Sequence, residues 1–152
     1  MTKYRFRLET LHRLRVAQRD QQLAALADGY RAEQIVTERQ AALADEAVEL
    51  RDLQRAALAS PRMDVNQLVE AQRYEMLLQA QEQQLADQAA RLAVEVERRR
   101  LAAVEADRAV RVLEKLDERR RADHRRQQER WEHKQLDEVA ATRHRGFNSY
   151  RI

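Results

Sequence analysis

The sequence contains one proline, Pro61, and only two glycines, Gly29 and Gly146, in 152 residues. An ordinary chain carries about 7% glycine and about 5% proline, because its turns depend on these residues. Sandwiches, barrels and doubly wound sheets need a turn about every 8 to 15 residues. The composition therefore excludes these folds and predicts an all-α protein with very few turns.

One strong turn signal lies inside the chain, at Ser60 and Pro61. Proline disfavours the helical conformation of the residue before it, and Asp64 and Gln67 have the spacing of a capping box at the start of a helix. Gly29 costs about 1 kcal/mol in a helix interior, which need not end a long helix. We predict helix 1 over about residues 4–59, a turn at 60–63, helix 2 over about 64–143 and a frayed tail at 144–152.

Apolar residues recur every seven positions in both predicted helices, which is the pattern of a coiled coil. The six-residue step from Tyr30 to Val36 predicts a slip of the heptad register in helix 1. The predicted core positions are Val16, Leu23, Leu26, Tyr30, Val36, Leu43, Leu50, Leu53 and Ala57 in helix 1, and Ala71, Leu78, Leu85, Leu92, Val96, Ala103 and Val110 in helix 2.

A chain that folds back at residues 60–63 brings together residues whose numbers sum to about 124. This pairing places Leu8 opposite Leu116, Leu11 opposite Leu113, and Leu14 opposite Val110. The predicted fold is all-α, a single domain over residues 1–152 in which two long helices form an antiparallel coiled-coil hairpin. Residues 117–135 contain one large apolar side chain, Trp131, so the longer C-terminal helix is expected to overhang helix 1.

The sequence offers no candidate for catalysis. It has no cysteine, no glycine-rich phosphate loop and no metal-binding pair among His12, His124, His133 and His144. A two-helix coiled coil also lacks the water-excluding pocket that an active site requires. We therefore expect a protein that is not an enzyme and has no cofactor or metal site. The sequence also lacks an apolar run long enough to cross a membrane and a secretory signal, so a cytoplasmic location is expected.

Charge is unevenly distributed along the chain. Residues 1–20 contain six basic and two acidic side chains, whereas residues 21–114 contain 12 basic and 17 acidic ones. Two arginine triplets, 98–100 and 119–121, are compatible with phosphate contacts, and a nucleic-acid-associated rod is therefore one alternative. Acidic residues are interleaved with both triplets, however, which favours solvated helix faces with ion pairs at i, i+4.

Two groups of apolar residues exceed what one helix partner can cover. Residues 74–78 contain four large apolar side chains in five positions, which cannot all face the same way on a helix. A docking site for another protein and a wide coiled-coil core are both open explanations. Trp131, Leu136 and Val139 lie on the predicted overhang, where a second protein, a second copy or simple fraying would account for them.

Both ends of the sequence resemble the FliJ family of bacterial flagellar export proteins. The resemblance rests on the opening run YRFRLETLHRLR at residues 4–15, on LEKLDER at 113–119 and on KQLDEVA at 134–140. It covers nearly the whole chain, but the middle is heptad sequence common to many coiled coils. A generic structural or dimerising coiled-coil tether remains the main alternative, and an injection-type secretion system is not separated from a flagellar one.

The resemblance implies a component of the flagellar type III export apparatus, located in the cytoplasm at the cytoplasmic face of the basal body. Its implied partners are the hexameric export ATPase, whose assembly it would promote, the cytoplasmic domain of the export gate protein, and export chaperones. Neither nucleic acid nor membrane insertion is implied. By analogy, the ATPase contacts fall on Arg7, Arg13, Arg119, Arg120 and Trp131, and the gate contacts on Tyr74, Met76, Leu77 and Leu78.

Overall fold

A computed structural model describes residues 3–62 and 64–148, with side chains up to Thr142. Two helices account for most of this range, α1 over Glu9–Ala59 and α2 over Val65–Asn148, and no strand occurs in it. The helices pack against each other as a hairpin, which confirms the predicted all-α fold. Residue 63 of the predicted turn and residues 149–152 of the predicted tail lie outside the described residues.

Helix α1 begins at Glu9 instead of at residue 4. The backbone N–H of Glu9 donates to the Phe6 carbonyl at 3.4 Å, and the first regular helical hydrogen bond joins the N–H of His12 to the Leu8 carbonyl at 2.9 Å. A carboxylate at the first helical position also interacts favourably with the helix dipole. Residues 3–8 consequently form a non-helical segment, called the strap below.

The start of α2 is capped by Asp64. Its Oδ1 accepts a hydrogen bond of 2.9 Å from the backbone N–H of Asn66, one position earlier than the predicted Gln67. The far end of α2 passes through Gly146 and reaches Asn148, so the helix continues beyond the predicted limit near residue 143. A lone glycine disfavours helix by only about 1 kcal/mol and does not end it here.

The helix pair divides into two units, each containing parts of both helices. Unit 1 comprises residues 1–18 and 106–152, and unit 2 comprises residues 19–105. In each unit the two helices bury a narrow line of side chains, called the seam below. The buried apolar residues are Val110 and Leu113 in unit 1, and Leu78, Val96 and Ala103 in unit 2.

The seam of unit 2 differs from the predicted one at a glycine. Gly29 is buried and Tyr30 is 49% exposed, so Gly29 takes the core position that was predicted for Tyr30. Leu23 is likewise exposed, and the slip predicted between Tyr30 and Val36 is absent. The unbroken heptad series on α1 is Gln22, Gly29, Val36, Leu43, Leu50 and Ala57, all of them buried or half-buried.

The seam of unit 1 contains Val110, which is fully buried, together with Leu113. Leu14 is 54% exposed and does not occupy its predicted place opposite Val110, and Leu11 lies at the exposed edge. The half-buried residues of α1 here are His12 and Val16. The predicted pair of Leu14 with Val110 is therefore wrong, because the helix presents His12 and Val16 to the seam instead of Leu14. Leu8 and Leu116, which were also predicted to pair, are both half-buried.

Candidate functional site

The strap lies in unit 1 and alternates between covered and exposed side chains. Tyr4, Phe6 and Leu8 are half-buried, whereas Lys3, Arg5 and Arg7 are exposed. A period of two is that of an extended chain, so the strap directs its apolar side chains inward and its basic side chains outward. Helix prediction missed this segment, although its strict alternation of basic and apolar residues is visible in the sequence.

Tyr4 attaches the strap to α2. Its hydroxyl donates a 2.7 Å hydrogen bond to Oδ1 of Asp117, and its ring meets the ring of His124 edge to face at 5.6 Å between centroids. The guanidinium of Arg121 lies 5.7 Å from the centre of the same ring, within the range of a cation–π contact. Three residues on successive turns of α2 therefore hold one aromatic side chain.

The ionisation of this contact follows from its geometry. The hydrogen bond from Tyr4, followed by the hydrogen bond and charge of Arg121, lowers the pKa of Asp117 below its ordinary value of 3.8. Desolvation, and then the hydrogen bond to Asp117, raises the pKa of Tyr4 above 10.0. The pair is consequently a neutral phenol donating to a carboxylate across the whole physiological range.

A cleft of about 560 Å³ opens beside the strap, lined by residues of the strap, α1 and α2 within unit 1. His12 lies in it, with its Nε2 3.6 Å from Oε1 of Glu114. This separation is too long for a hydrogen bond, and the Nε2 atom is enclosed without a hydrogen-bond partner in the described part of the chain. The lining residues are Tyr4, Arg5, Phe6, Glu9, His12, Glu114, Asp117, Glu118 and Arg121.

All three arginines of the first triplet, in unit 2, bind carboxylates of their own helix. Arg98 donates to Glu95 at 2.7 and 2.8 Å, Arg99 donates to Glu95 at 2.8 Å, and Arg100 donates to Glu97 at 2.7 and 2.8 Å. The hydrogen bonds from Arg98 and then Arg99 lower the pKa of Glu95 to about 2. This triplet forms a network of intrahelical ion pairs, as the interleaved acidic residues predicted.

The second triplet, in unit 1, is only partly compensated. Arg121 pairs with Asp117 at 2.8 Å. Arg119 and Arg120 are exposed, and neither forms an ion pair with another described residue. The difference has a sequence signal. Glu95 and Glu97 precede the first triplet at the right helical spacings, whereas Arg119 has Lys115 and Leu116 there, and Arg120 competes with Arg121 for the single Asp117.

The other residues predicted to contact an ATPase also lie in unit 1. Arg7 is exposed on the strap, whereas Arg13 is exposed but pairs with Glu9 one helical turn earlier. Trp131 is 55% exposed, and every described side chain from Glu129 to Thr142 is exposed as well. The end of α2 therefore has no partner in the described chain, as the predicted overhang requires.

Trp131, Val139 and Leu136 share one side of α2. Successive helical residues are rotated by about 100°, which places these three within an arc of about 140°. All three are exposed. Arg7, Arg119 and Arg120 are also exposed in unit 1 and form no ion pair with another described residue. These six residues, three basic and three apolar, are together called the basic end below.

The apolar patch predicted near the turn, in unit 2, is divided between the seam and the surface. Leu78 is 4% exposed and belongs to the seam, whereas Met76 is 66% exposed and Leu77 is exposed beside it. Tyr74 is also exposed and donates a hydrogen bond to Glu46 on α1. Of these four residues, Tyr74, Met76 and Leu77 are thus exposed, and the three are called the tip patch. Met76 and Leu77 are adjacent, whereas Tyr74 lies about 160° from Met76 around the helix.

Sequence reasoning missed additional exposed apolar residues close to the tip patch. Val65 and Val69 lie at i and i+4 on α2, and Met76 at i+11 continues the same line. Both valines are exposed. Their spacing was the available signal, but their position next to the turn made a core role the simpler interpretation.

Two further kinds of site do not occur in the described residues. No group of three or more histidine and carboxylate side chains is arranged there to hold a metal ion. Neither α1 nor the described length of α2 carries an apolar stretch of the kind that crosses a lipid bilayer.

Comparison with known proteins identifies the family. The chain matches the family described as flagellar FliJ protein over residues 4–149. No curated protein and no solved structure shows significant similarity to it. The match covers the strap, α1, the turn and α2, so it applies to the whole hairpin. The chain therefore belongs to the FliJ family of flagellar export-related coiled-coil proteins.

Proposed function

We propose that this chain is a non-enzymatic component of the flagellar type III export apparatus that binds the hexameric export ATPase through its basic end. The observation that carries the proposal is the contrast between the two arginine triplets. Arg98, Arg99 and Arg100 are satisfied by Glu95 and Glu97, whereas Arg119 and Arg120 are exposed without an ion pair among the described residues. Uncompensated charge steers association with an acidic partner.

The exposed Trp131 supports the same surface. Tryptophan and arginine are the residues that most often dominate binding energy at protein interfaces, and here both types lie in unit 1. Binding to an ATPase ring would promote ring assembly only if the chain has a higher affinity for the assembled ring than for separate subunits. The chain would therefore stimulate ATP hydrolysis without contributing a catalytic group.

Binding measurements on matched double variants test the ATPase contact. Arg119→Ala with Arg120→Ala should slow association with the purified export ATPase and flatten the dependence of affinity on salt. Arg98→Ala with Arg100→Ala removes the same charge from the ion-paired triplet and should leave both quantities close to those of the wild type. Equal losses in the two variants would contradict a specific role for the basic end.

The second proposed contact is between the tip patch and the cytoplasmic domain of the export gate protein. Met76 and Leu77 are exposed apolar side chains on a helix that already has its seam partner, and such surface favours docking of another protein. Met76→Ser with Leu77→Ser should weaken gate binding without changing helicity. Val94→Ser is the control, because Val94 is at least as exposed on the same helix but lies 17 residues, about 25 Å, beyond Leu77.

These contacts would place the chain in the cytoplasm, at the cytoplasmic face of the basal body, where export chaperones would be further partners. A dimerising tether is the second candidate, favoured by the exposure of Trp131, Leu136 and Val139. Light scattering across protein concentration separates the two, since a tether that dimerises through these residues gains mass with concentration. A chain that acts by binding the ATPase ring should instead keep the mass of a monomer at all concentrations.

A further inference from the structure

Arg99 is the one basic side chain at a heptad position of the α2 seam in unit 2. It follows Ala71, Leu78, Leu85 and Leu92 at intervals of seven residues and is half-buried. Its Nη1 crosses the seam and donates a 2.7 Å hydrogen bond to the backbone carbonyl of Ala25 on α1. Its Nε donates to Oε1 of Glu95 at 2.8 Å, which fixes the guanidinium from the other side.

The absence of a side chain at Gly29 lets α1 approach α2 closely beside this hydrogen bond. Within an α-helix the Ala25 carbonyl accepts the backbone N–H of Gly29, and its oxygen has a second lone pair for Arg99. A Cβ atom on Gly29 would lie 3.0 Å from Cγ2 of Val96, 3.6 Å from Cδ of Arg99 and 3.7 Å from its Nη1. The distance to Val96 is shorter than a Cβ atom normally makes, so glycine lets the two helices approach closely here, whereas both Arg99 distances are those of ordinary van der Waals contact.

The apolar residues of the seam do not distinguish one register from another. They repeat every seven positions on both helices of unit 2, so sliding one helix by a heptad keeps the same faces together. Two other polar contacts join the helices in unit 2, Tyr74 with Glu46 and Arg51 with Glu75, but each involves an exposed side chain.

The connection between the helices opposes sliding weakly, because Leu58 and Val65 beside it are exposed and little burial is lost by unwinding the roughly two turns that a slip of one heptad requires. In either slipped register Gln22 or Val36, each with a side chain, would replace Gly29 opposite Arg99.

We infer that Gly29 and Arg99 form a register lock that selects one alignment of the antiparallel pair. Polar residues at single core positions select register in other coiled coils, at some expense of stability. Here the polar group is satisfied only when Gly29 faces it, and a slipped alignment would leave the Arg99 guanidinium without the Ala25 carbonyl. The lock concerns the hairpin itself and does not depend on the proposed function.

Disulfide trapping tests the lock directly, since the chain has no cysteine of its own. Val36→Cys with Ala89→Cys and Leu43→Cys with Glu82→Cys report the observed register. Recombining the same four positions, Val36 with Glu82 and Leu43 with Ala89, reports the two slipped registers. In the observed register the recombined pairs are offset by seven residues, about 10.5 Å along the helix, which is beyond the reach of a disulfide.

The decisive variant is Arg99→Leu, which places an apolar residue at an apolar seam position and should remain folded by circular dichroism. In this background the disulfide yield of the recombined pairs should rise by about tenfold or more over the wild type, as expected for loss of a charge-assisted hydrogen bond. Arg98→Leu is the matched control, because it removes an arginine that also binds Glu95 but that does not cross the seam. It should leave the yields unchanged.

A second variant shows whether a change in disulfide yield comes from the loss of the lock or from the new leucine in the seam. Gly29→Ala keeps Arg99 but fills the space beside it, and it should raise the yield of the recombined pairs in the same direction. The inference is overturned if both variants show the wild-type preference for the observed register, or if the wild-type chain forms the slipped disulfides as readily as the others.

Discussion

Tyr4 donates a 2.7 Å hydrogen bond to the carboxylate of Asp117, a residue 113 positions later in the chain. The contact joins the strap to α2 at the turn of the helix that also carries Arg121, which pairs with Asp117 at 2.8 Å. The Tyr4 hydroxyl therefore helps to hold the strap, with its exposed basic residues Lys3, Arg5 and Arg7, against α2. Its removal should affect the strap more than the helices.

Tyr4→Phe keeps the ring and removes the hydrogen bond. We expect a small fall in the urea midpoint of unfolding and faster tryptic cleavage after Arg5 and Arg7, with unchanged helicity. The pKa of Asp117 is lowered in the folded chain, so its contribution to stability is complete above the ordinary value of 3.8 and is lost as the pH falls below it. The difference between wild type and variant should accordingly shrink in acid. A difference that grows in acid would contradict the assignment.

The same contact makes a prediction for alkaline solution. The pKa of Tyr4 is raised above 10.0, so the stabilising phenol is intact below this value and is lost as the pH rises through the higher folded value. Titration followed by tyrosinate absorbance should show late-ionising tyrosine, part of which disappears in the Tyr4→Phe variant. The hydrogen bond to Glu46 also raises the pKa of Tyr74, and Tyr74→Phe is therefore the required comparison.

Glu95 should titrate with a pKa of about 2, because Arg98 and then Arg99 stabilise its carboxylate. Its favourable interactions are complete above the ordinary value of 4.5 and decline as the pH falls from there toward 2. Arg98→Leu should move the Glu95 midpoint up toward 4.5 in a carboxyl NMR titration. The Glu97 midpoint, which Arg100 lowers, serves as the internal control and should not move.

The two neighbouring leucines near the turn should respond differently to truncation. Leu78→Ala removes a buried side chain and should destabilise the chain by about 2–4 kcal/mol in urea unfolding. Leu77→Ala changes an exposed position and should stay within about 0.5 kcal/mol of wild type. Similar losses in both variants would mean that Leu77 also lies in the seam, and the tip patch would then lose a member.

Trp131 provides a direct optical report because it is the sole tryptophan of the chain. It is exposed in the free chain, so its emission should shift to shorter wavelength when the export ATPase covers the basic end. Trp131→Phe supplies the background spectrum and should bind more weakly. Binding without any change in the Trp131 emission would remove this residue from the interface.

The parts of the fold that rest on strong local signals were predictable. Pro61 and Asp64 marked the turn, and the heptad series from Ala71 to Leu92 marked the seam of α2. Gly29 was missed because a glycine has no side chain and therefore no hydrophobic signal, although its smallness is what the seam uses. The strap was missed because the helix pattern that begins at Leu8 was extended backward over residues with a period of two.

The candidate surfaces were predictable only in part. The sequence identifies both arginine triplets. Which arginines remain without an ion pair depends on how many carboxylates lie three and four positions earlier and on which arginine each carboxylate binds. Leu78 and Leu77 are adjacent and equally apolar, and only the rotation of the helix against α1 decides which of them is buried. Exposure of Trp131 followed from the polar sequence around it, because nothing within residues 117–135 could cover it.

ATP turnover measured across ATPase concentration tests whether this chain promotes assembly of the export ATPase. The purified ATPase of the same organism is assayed alone, with the wild-type chain, and with the Arg119→Ala, Arg120→Ala variant. We expect the wild-type chain to move the onset of activity to lower ATPase concentration and the variant to do so less. If turnover and the size of the ATPase oligomer are unchanged by the chain, the proposed contact is contradicted and the tether becomes the better explanation.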